Sequence, residues 1–286
     1  MIDELPEKCY TNNIRKGSDS YLFSIQKKNK MQFLKQQLSK IAGIYIIFLF
    51  FFVFGMTRVQ AAELDTDGDG LTDQAEQTIY GTDVTKVDTD DDGYDDRTEI
   101  FHGYSPRNAD AVKLSSIDSD NDGATDQWEI RLGLNVINSD TDGDGYLDGK
   151  EINAGYDPRV SEAVKKNKRI AVTLADQRLA YYFDNVELER FAISGGVRSM
   201  PSPEGAFAVL HKVPNKNYGG AGFNFYYPDT KWNLHFTTRY WRYYIHGAYW
   251  HNKFGQPMSH GCINVRYDQM ERLYGFSEIG TEITIS

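Results

Sequence analysis

The sequence predicts a mostly β domain in the C-terminal part of the chain, preceded by an extended stalk of short acidic repeats. Two observations predict this division. From about residue 168 onward, short apolar and aromatic runs alternate with turn residues, as strands do. Residues 63–160 instead carry 26 Asp/Glu against 7 Lys/Arg, and one acidic spacing recurs there four times. We therefore divide the 286 residues into an N-terminal extension (1–61), repeats (63–160), a basic linker (161–168) and a C-terminal domain (169–286).

The N-terminal extension contains an uncharged run of 16 residues, 41–56, which follows several lysines and precedes Val59-Gln60-Ala61. This order of basic, apolar and small residues is typical of a secretory signal. We expect cleavage after Ala61 and an extracytoplasmic location in the cell envelope. A retained anchor that holds the protein at the membrane is the alternative, because a spanning helix needs only slightly more residues. Translation from Met31 would leave a compact signal.

The repeats share the spacing of a calcium-binding loop. Aspartates occupy positions 1, 3, 5 and 9, glycine position 6 and glutamate position 12. Calcium prefers six to eight oxygen ligands, which alternating carboxylates supply, whereas magnesium fits less well. The predicted metal ligands are Asp65, Asp67, Asp69, Asp73 and Glu76; Asp88, Asp90, Asp92, Asp96 and Glu99; Asp118, Asp120, Asp122, Asp126 and Glu129; and Asp140, Asp142, Asp144, Asp148 and Glu151.

A solvated acidic linker is the alternative interpretation, but it would not place glycine and glutamate at the same offsets four times. The array resembles thrombospondin type 3 repeats and, more weakly, dockerin modules. The first resemblance implies structural Ca²⁺ along an extended stalk with little apolar core. We expect such a stalk to loosen on chelation while the C-terminal domain, with its own core, stays active. The acidic repeats also argue against a nucleic-acid partner.

The C-terminal domain reads as a series of strands with one helix. Strands are predicted at 171–174, 179–183, 186–193, 206–211, 232–237, 243–246 and 282–285, with the helix at 267–274.

Cys262 is the candidate nucleophile of this domain. The other cysteine, Cys9, precedes the predicted export signal, so the mature protein would keep one thiol and no internal disulfide. Gly261 lets the backbone approach a substrate closely, and His246 and His260 offer bases.

These residues carry a family resemblance. His246-Gly247 followed by Ser259-His260-Gly261-Cys262-Ile263-Asn264 resembles the signature of the YkuD-type L,D-transpeptidases. The resemblance covers roughly residues 168–286 and includes Ser194-Gly195-Gly196 and Pro203-Glu204-Gly205-Ala206-Phe207. It implies a β-sandwich with short helices.

The resemblance also implies a mechanism. His246 would deprotonate Cys262, whose thiolate would attack a peptidoglycan stem peptide and form a thioester. Backbone amides at His260, Gly261 and Cys262 would hold the oxyanion, and Ser259 would orient a histidine. An amine on a second stem would then complete a 3→3 cross-link. No cofactor is expected for catalysis.

Four further residues are predicted to bind substrate: Arg266, Asn264, Tyr249 and Trp250. Arg266 would contact a stem carboxylate, with a surface salt bridge as the equal alternative. Tyr249, Trp250 and Trp241 flank His246 in an aromatic-rich stretch and are candidates for the cleft wall.

Other functions stay open at this point. Water as the acceptor would give an L,D-carboxypeptidase, and the repeats allow a calcium-dependent surface or adhesion protein. Zinc held by His246, His251, His260 and Cys262 is a weaker alternative, because no carboxylate base accompanies these residues. A sortase-like transpeptidase shares the chemistry but not the residue order. His102, His211 and His235 are interpreted as structural.

Overall fold

The computed structural model describes residues 63–220, 225–238 and 242–286, which belong to a unit spanning Glu63–Ser286. The predicted signal or anchor, with its apolar run at 41–56, lies outside the described residues. Within the described ranges no helix has both the length and the apolar character needed to cross a membrane.

Each acidic loop is followed by one short helical segment. These segments are α1 (Asp73–Ala75) with a π-helical turn (Glu76–Tyr80), α2 (Asp96–His102), α3 (Asp126–Leu132) and α4 (Asp148–Ala154), and a separate 3₁₀ turn (Leu114–Ser116) lies between α2 and the third loop. Thr72, Asp95 and Thr125 accept backbone hydrogen bonds at the helix starts. A left-handed glycine ends each segment (Gly81, Gly103, Gly133 and Gly155), which keeps the helices short.

The C-terminal part consists of two sheets and one helix. The strands are β1 (Lys168–Thr173), β2 (Arg178–Phe183), β3 (Val186–Ala192), β4 (Gly205–Ala208), β5 (His211–Gly219), β6 (Tyr226–His235), β7 (Tyr244–Gly247), β8 (Ile263–Val265) and β9 (Glu282–Ile285), with α5 at Tyr267–Phe276. One sheet has the order β3-β2-β1-β9-β4 and the other β5-β6-β7-β8. The mostly β fold with short helices is therefore confirmed.

Two strands were not predicted in this form. β5 is polar and contains Pro214, which suits an edge strand but weakens the strand pattern. β8 has only three residues and directly follows Cys262.

The third and fourth repeats pack against the C-terminal domain. Trp128 of α3 is 2% exposed, and its ring lies 5.9 Å from that of Tyr181 and 6.0 Å from that of Phe276, measured between centroids. The side chain of Gln127 donates to the carbonyl of Leu188 at 2.9 Å. The apolar core thus extends into these two repeats, which the sequence patterns did not indicate.

The predicted linker is also part of the folded unit. Lys168 begins β1, is 3% exposed, and donates from Nζ to the carbonyls of Asn153 at 2.8 Å and Phe276 at 2.7 Å. The predicted domain limits stay a prediction.

Candidate active site

Two neighbouring strands bring His246 and Cys262 to one place. β7 and β8 are parallel, with Ile245 opposite Ile263 and His246 opposite Asn264. Cys262 directly precedes Ile263, the first residue of β8, which pairs with Ile245. The thiol therefore lies at the start of the strand that neighbours His246. His246, Ser259, His260 and Cys262 all line one small cavity.

The environment of His246 fixes its tautomer. Its Nδ1 lies 2.9 Å from the carbonyl oxygen of Gly247, which accepts only, so Nδ1 carries the proton and Nε2 keeps a free lone pair. The ring of Tyr218 stacks on the imidazole with centroids 4.4 Å apart. Burial lowers the pKa of His246 to about 4, against a smaller opposing effect of the Gly247 carbonyl. The imidazole is therefore neutral near pH 7 and able to accept a proton.

Burial has the opposite effect on the thiol, raising the pKa of Cys262 to about 11. The backbone N–H of Tyr244 and the positive charge of Lys216 act against this rise. Near neutral pH the resting pair is thus a thiol and a neutral imidazole. Such a pair suits proton transfer that accompanies nucleophilic attack.

Ser259 shapes the loop that carries the thiol. Its hydroxyl donates to the carbonyl of Cys262 and accepts from the amide of Gly261 at 3.1 Å, while its own amide donates to Gly195 at 3.0 Å. Gly261 has a φ of 108°, and a Cβ there would lie 2.4 Å from Cε1 of Tyr243. The Gly261 amide, predicted as an oxyanion donor, is already bonded to the serine.

Two cavities meet at Cys262 and His260. The larger, of about 840 Å³, is lined by Ser199, Met200, Pro201, Lys216, Asn217, Tyr218, Gly219, Phe225, Arg242, Tyr243, Tyr244, His260 and Cys262. The smaller is lined by Tyr218, Phe225, Tyr227, His246, Trp250, Met258, Ser259, His260, Cys262 and Asn264. His260 stacks on Phe225 with centroids 4.8 Å apart, so its ring forms part of the cavity wall.

The predicted substrate-binding residues are separated in the structure. Trp250 and Asn264 line the smaller cavity, and Asn264 is 2% exposed with its amide 3.2 Å from Nε2 of His251. Tyr249 and Arg266 line neither cavity. The Tyr249 hydroxyl donates to the carbonyl of Pro228 at 2.9 Å, and the Arg266 guanidinium lies 5.8 Å from the ring centroid of Phe254. Trp241 lies outside the described residues.

Lys216, Tyr218 and Arg242 reach the larger cavity but were not identified from the sequence. Lys216 and Tyr218 lie on β5, whose polar pattern did not predict a strand. Because Lys216 and Tyr218 are two residues apart, their side chains lie on the same face of this strand.

The acidic loops form four candidate metal centres. In each loop the carboxylates at positions 1, 3 and 5 have oxygens within 4.8 Å of one another. The glutamates at position 12 (Glu76, Glu99, Glu129 and Glu151) each have a buried oxygen without a hydrogen-bond partner among the described residues. Because unpaired buried carboxylate oxygens are costly, these residues fit a bound calcium ion.

The aspartates at position 9, which the sequence predicts as metal ligands, make hydrogen bonds within their own loops. Asp96, for example, accepts from the backbone N–H of Thr89 at 2.8 Å and from its hydroxyl at 2.6 Å. Asp73, Asp126 and Asp148 make the same pair of bonds to the residue at position 2. In each loop, both carboxylate oxygens of this aspartate therefore accept hydrogen bonds that join position 9 to position 2.

The third and fourth loops also contact each other. Asp122 of the third loop accepts from the amide of Gly149 in the fourth at 2.6 Å, and Asp122, Glu129 and Asp148 form a buried cluster within 4.8 Å. Among the described residues, such clusters of three or more ligating side chains occur in the repeats.

Comparison with known families matches both parts of the chain. Residues 167–285 match the family described as the L,D-transpeptidase catalytic domain. Residues 65–83, 118–133 and 140–158 match the bacterial TSP3 repeat, while the second loop lies outside these matches. Both resemblances predicted from the sequence are thereby confirmed.

Solved structures with similarity include an L,D-transpeptidase from Mycobacterium smegmatis, at 21% identity and a TM-score of 0.40, covering 43% of this chain and 59% of that one. An L,D-transpeptidase from Mycobacterium tuberculosis matches at 21% identity and a TM-score of 0.39, covering 43% and 58%. The catalytic domain of the E. faecium enzyme matches at 26% identity and a TM-score of 0.38, covering 42% and 97%. The chain thus spans less than two thirds of the mycobacterial proteins. No curated protein matches it.

Proposed function

We propose that the C-terminal domain is a peptidoglycan L,D-transpeptidase that uses Cys262 as nucleophile and His246 as base. The carrying observation is the hydrogen bond from His246 Nδ1 to the Gly247 carbonyl, beside a thiol at the junction of two cavities. This bond leaves Nε2 as the proton acceptor, and the family match supports the reaction class.

In the first half-reaction, His246 Nε2 takes the proton of Cys262 as the sulfur attacks the carbonyl carbon of the donor peptide. The tetrahedral intermediate collapses, the C–N bond breaks, and His246 returns the proton to the departing amine. A thioester joins the donor to the enzyme. Backbone amides of His260 and Cys262 hold the oxyanion, since the Gly261 amide is bonded to Ser259.

In the second half-reaction, the side-chain amine of a neighbouring stem attacks the thioester. His246 accepts its proton and passes it to the sulfur, which restores the thiol. The product is a 3→3 cross-link. Water in place of the amine gives a shortened stem, which is the carboxypeptidase alternative.

The repeats bind calcium in this proposal, through the carboxylates at positions 1, 3, 5 and 12 of each loop. Calcium binding is supported by the match to bacterial TSP3 repeats and by the buried glutamate oxygens that have no hydrogen-bond partner among the described residues. The ion supplies positive charge that offsets the clustered carboxylates and so stabilises the repeats. In this proposal the protein acts in the cell envelope, where peptidoglycan lies.

The test incubates the purified protein with tetrapeptide muropeptides in calcium and analyses the products by mass spectrometry. Cross-linked dimers that disappear in Cys262→Ala support the transpeptidase, and tripeptides alone indicate the carboxypeptidase. Absence of both products from the active-site-intact protein, with its fold confirmed by circular dichroism, contradicts the proposal.

A further inference from the structure

The larger cavity places a lysine beside the thiol. Lys216 lies on β5, and its Nζ sits 5.2 Å from the ring centroid of Tyr244 and 5.4 Å from that of Tyr218. It lines the same cavity as Cys262. The ammonium group is therefore held between two aromatic faces at the wall of the site.

The charge in this cavity is of one sign. Lys216 and Arg242 both line it, and its described lining includes no aspartate or glutamate. No ion pair among the described residues involves either cation. By contrast, Arg272 lies 2.5 Å from Glu189 in the same domain.

The aromatic walls of the cavity strengthen the electrostatic attraction between these cations and a negatively charged ligand. Phe225, Tyr218, Tyr243 and Tyr244 contribute aromatic walls, which lower the local dielectric constant when a ligand displaces water. The positive charge of Lys216 already lowers the pKa of Cys262, although burial governs that pKa. A negatively charged group near the thiol would therefore gain a charge-assisted contact.

We infer that Lys216, supported by Arg242, binds a free carboxylate on the acyl donor and so selects donors that end one residue beyond the attacked carbonyl. This inference rests on the proposed function for the identity of the donor. A terminal amino acid leaving group carries its carboxylate close to the scissile C–N bond. Lys216 lines the cavity that contains the nucleophile, where this carboxylate would lie. Lys216 is thus a specificity-determining residue for the donor.

The first test does not depend on the natural substrate. Cys262 is alkylated with iodoacetate, which carries a carboxylate, and with neutral iodoacetamide of similar size. The ratio of the two rates reports the cavity charge, because a changed thiol pKa affects both reagents equally. Rates are read by mass spectrometry on the peptide containing Cys262, which separates it from Cys9.

Lys216→Gln is expected to lower the iodoacetate-to-iodoacetamide ratio about fivefold, equivalent to about 1 kcal/mol. Lys216→Arg should keep most of it. Lys231→Gln is the matched control, since Lys231 lies on β6 and lines neither cavity. The wild-type ratio should also fall as salt is raised. An unchanged ratio in folded Lys216→Gln overturns the inference.

The second test uses the donor itself. Tetrapeptide donors with a free C-terminal carboxylate and with a C-terminal carboxamide are compared in wild type and Lys216→Gln. The variant should raise KM for the acid about fivefold, with little change for the amide and little change in kcat. Equal effects on both donors refute the carboxylate contact. If no muropeptide is turned over, the proposed function fails, while the alkylation ratio still decides the cavity charge.

Discussion

Trp128 of the third repeat packs edge-on against Tyr181 of β2, with ring centroids 5.9 Å apart and an interplanar angle of 80°. The residue that follows, Glu129, is fully buried and has two carboxylate oxygens without partners among the described residues. A candidate calcium ligand therefore adjoins a side chain in the core of the catalytic domain. The two parts of the chain share an apolar core, so we expect bound calcium to affect the stability of both.

Chelation is accordingly expected to destabilise the catalytic domain as well as the repeats. Removing the ion leaves the Glu129 carboxylate buried and unpaired, which costs several kcal/mol and favours undocking of Trp128. The measurement is Tm by calorimetry with EDTA and after calcium is restored, with tryptophan fluorescence as a second readout. The sequence alone suggested that the domain keeps its activity after chelation. An unchanged Tm and emission maximum would instead indicate a C-terminal domain whose stability does not depend on calcium.

Glu129→Gln refines this prediction because it removes the charge and one ligand together. In calcium the variant should have a lower Tm than wild type, whereas in EDTA it should equal or exceed it. Glu76→Gln in the first loop is the matched control, since that loop is not part of the shared apolar core. The same shift in both variants would contradict a special role for the third loop.

Loss of the thiol should abolish turnover without unfolding the domain. Cys262→Ala leaves no nucleophile, and His246→Ala removes the base, so each is expected to lower kcat by several orders of magnitude. Because the two residues act as one unit, the double variant should be scarcely slower than Cys262→Ala. Mass spectrometry after incubation with a carbapenem, which the family resemblance suggests as an acylating agent, should show an adduct in wild type only. Normal turnover by Cys262→Ala is the contradicting result.

The buried base should keep the enzyme active in mild acid. The neutral imidazole accepts the thiol proton, and with a pKa near 4 this form persists as the pH falls from 7 to 5. An imidazole with the ordinary pKa of about 6.5 would be mostly protonated at pH 5. We expect kcat/KM to change little across this interval. A tenfold decrease, with calorimetry showing a folded protein, would contradict the assignment.

The lowered pKa of His246 keeps the base active in mild acid but makes the folded protein less stable there. The folded-state pKa of His246 lies below its unfolded value, so the unfolded chain binds the proton more readily. Stability from this residue is complete above about pH 6.5 and decreases as the pH falls toward 4. A His246→Gln variant should therefore show a smaller loss of Tm between pH 7 and 5 than wild type. Parallel losses in the two proteins would exclude burial of the neutral ring.

The sequence was informative where function demands fixed spacing. The motif around Cys262 and the twelve-residue loops could be recognised because their residues are close in the chain. The docking of Trp128 could not, since one tryptophan in a seven-residue helix gives no sign of what it packs against. Lys216 was missed because β5 is a polar edge strand. The spacing predicts Asp96 as a ligand but gives no sign of its hydrogen bonds to Thr89, which depend on how the loop closes.

The pairing of the third and fourth loops predicts a steric effect at Gly149. A Cβ at this position would lie 2.3 Å from the backbone nitrogen of Ala124 and 2.5 Å from the carbonyl carbon of Gly123, so the loops must separate. Gly149→Ala is expected to cost about 1–3 kcal/mol, as overpacked cores do, and to weaken calcium binding because Asp122 loses its bond to the Gly149 amide.

Gly275→Ala provides the control for this substitution. Gly275 lies within α5, and a Cβ there would meet nothing within 4 Å, so alanine should stabilise the helix by up to about 1 kcal/mol. Calcium titration calorimetry and Tm are measured on both variants. If the pairing is correct, Gly149→Ala lowers both affinity and Tm while Gly275→Ala lowers neither. Equal affinity in Gly149→Ala and wild type would show that the two loops bind their ions without the contact through Asp122.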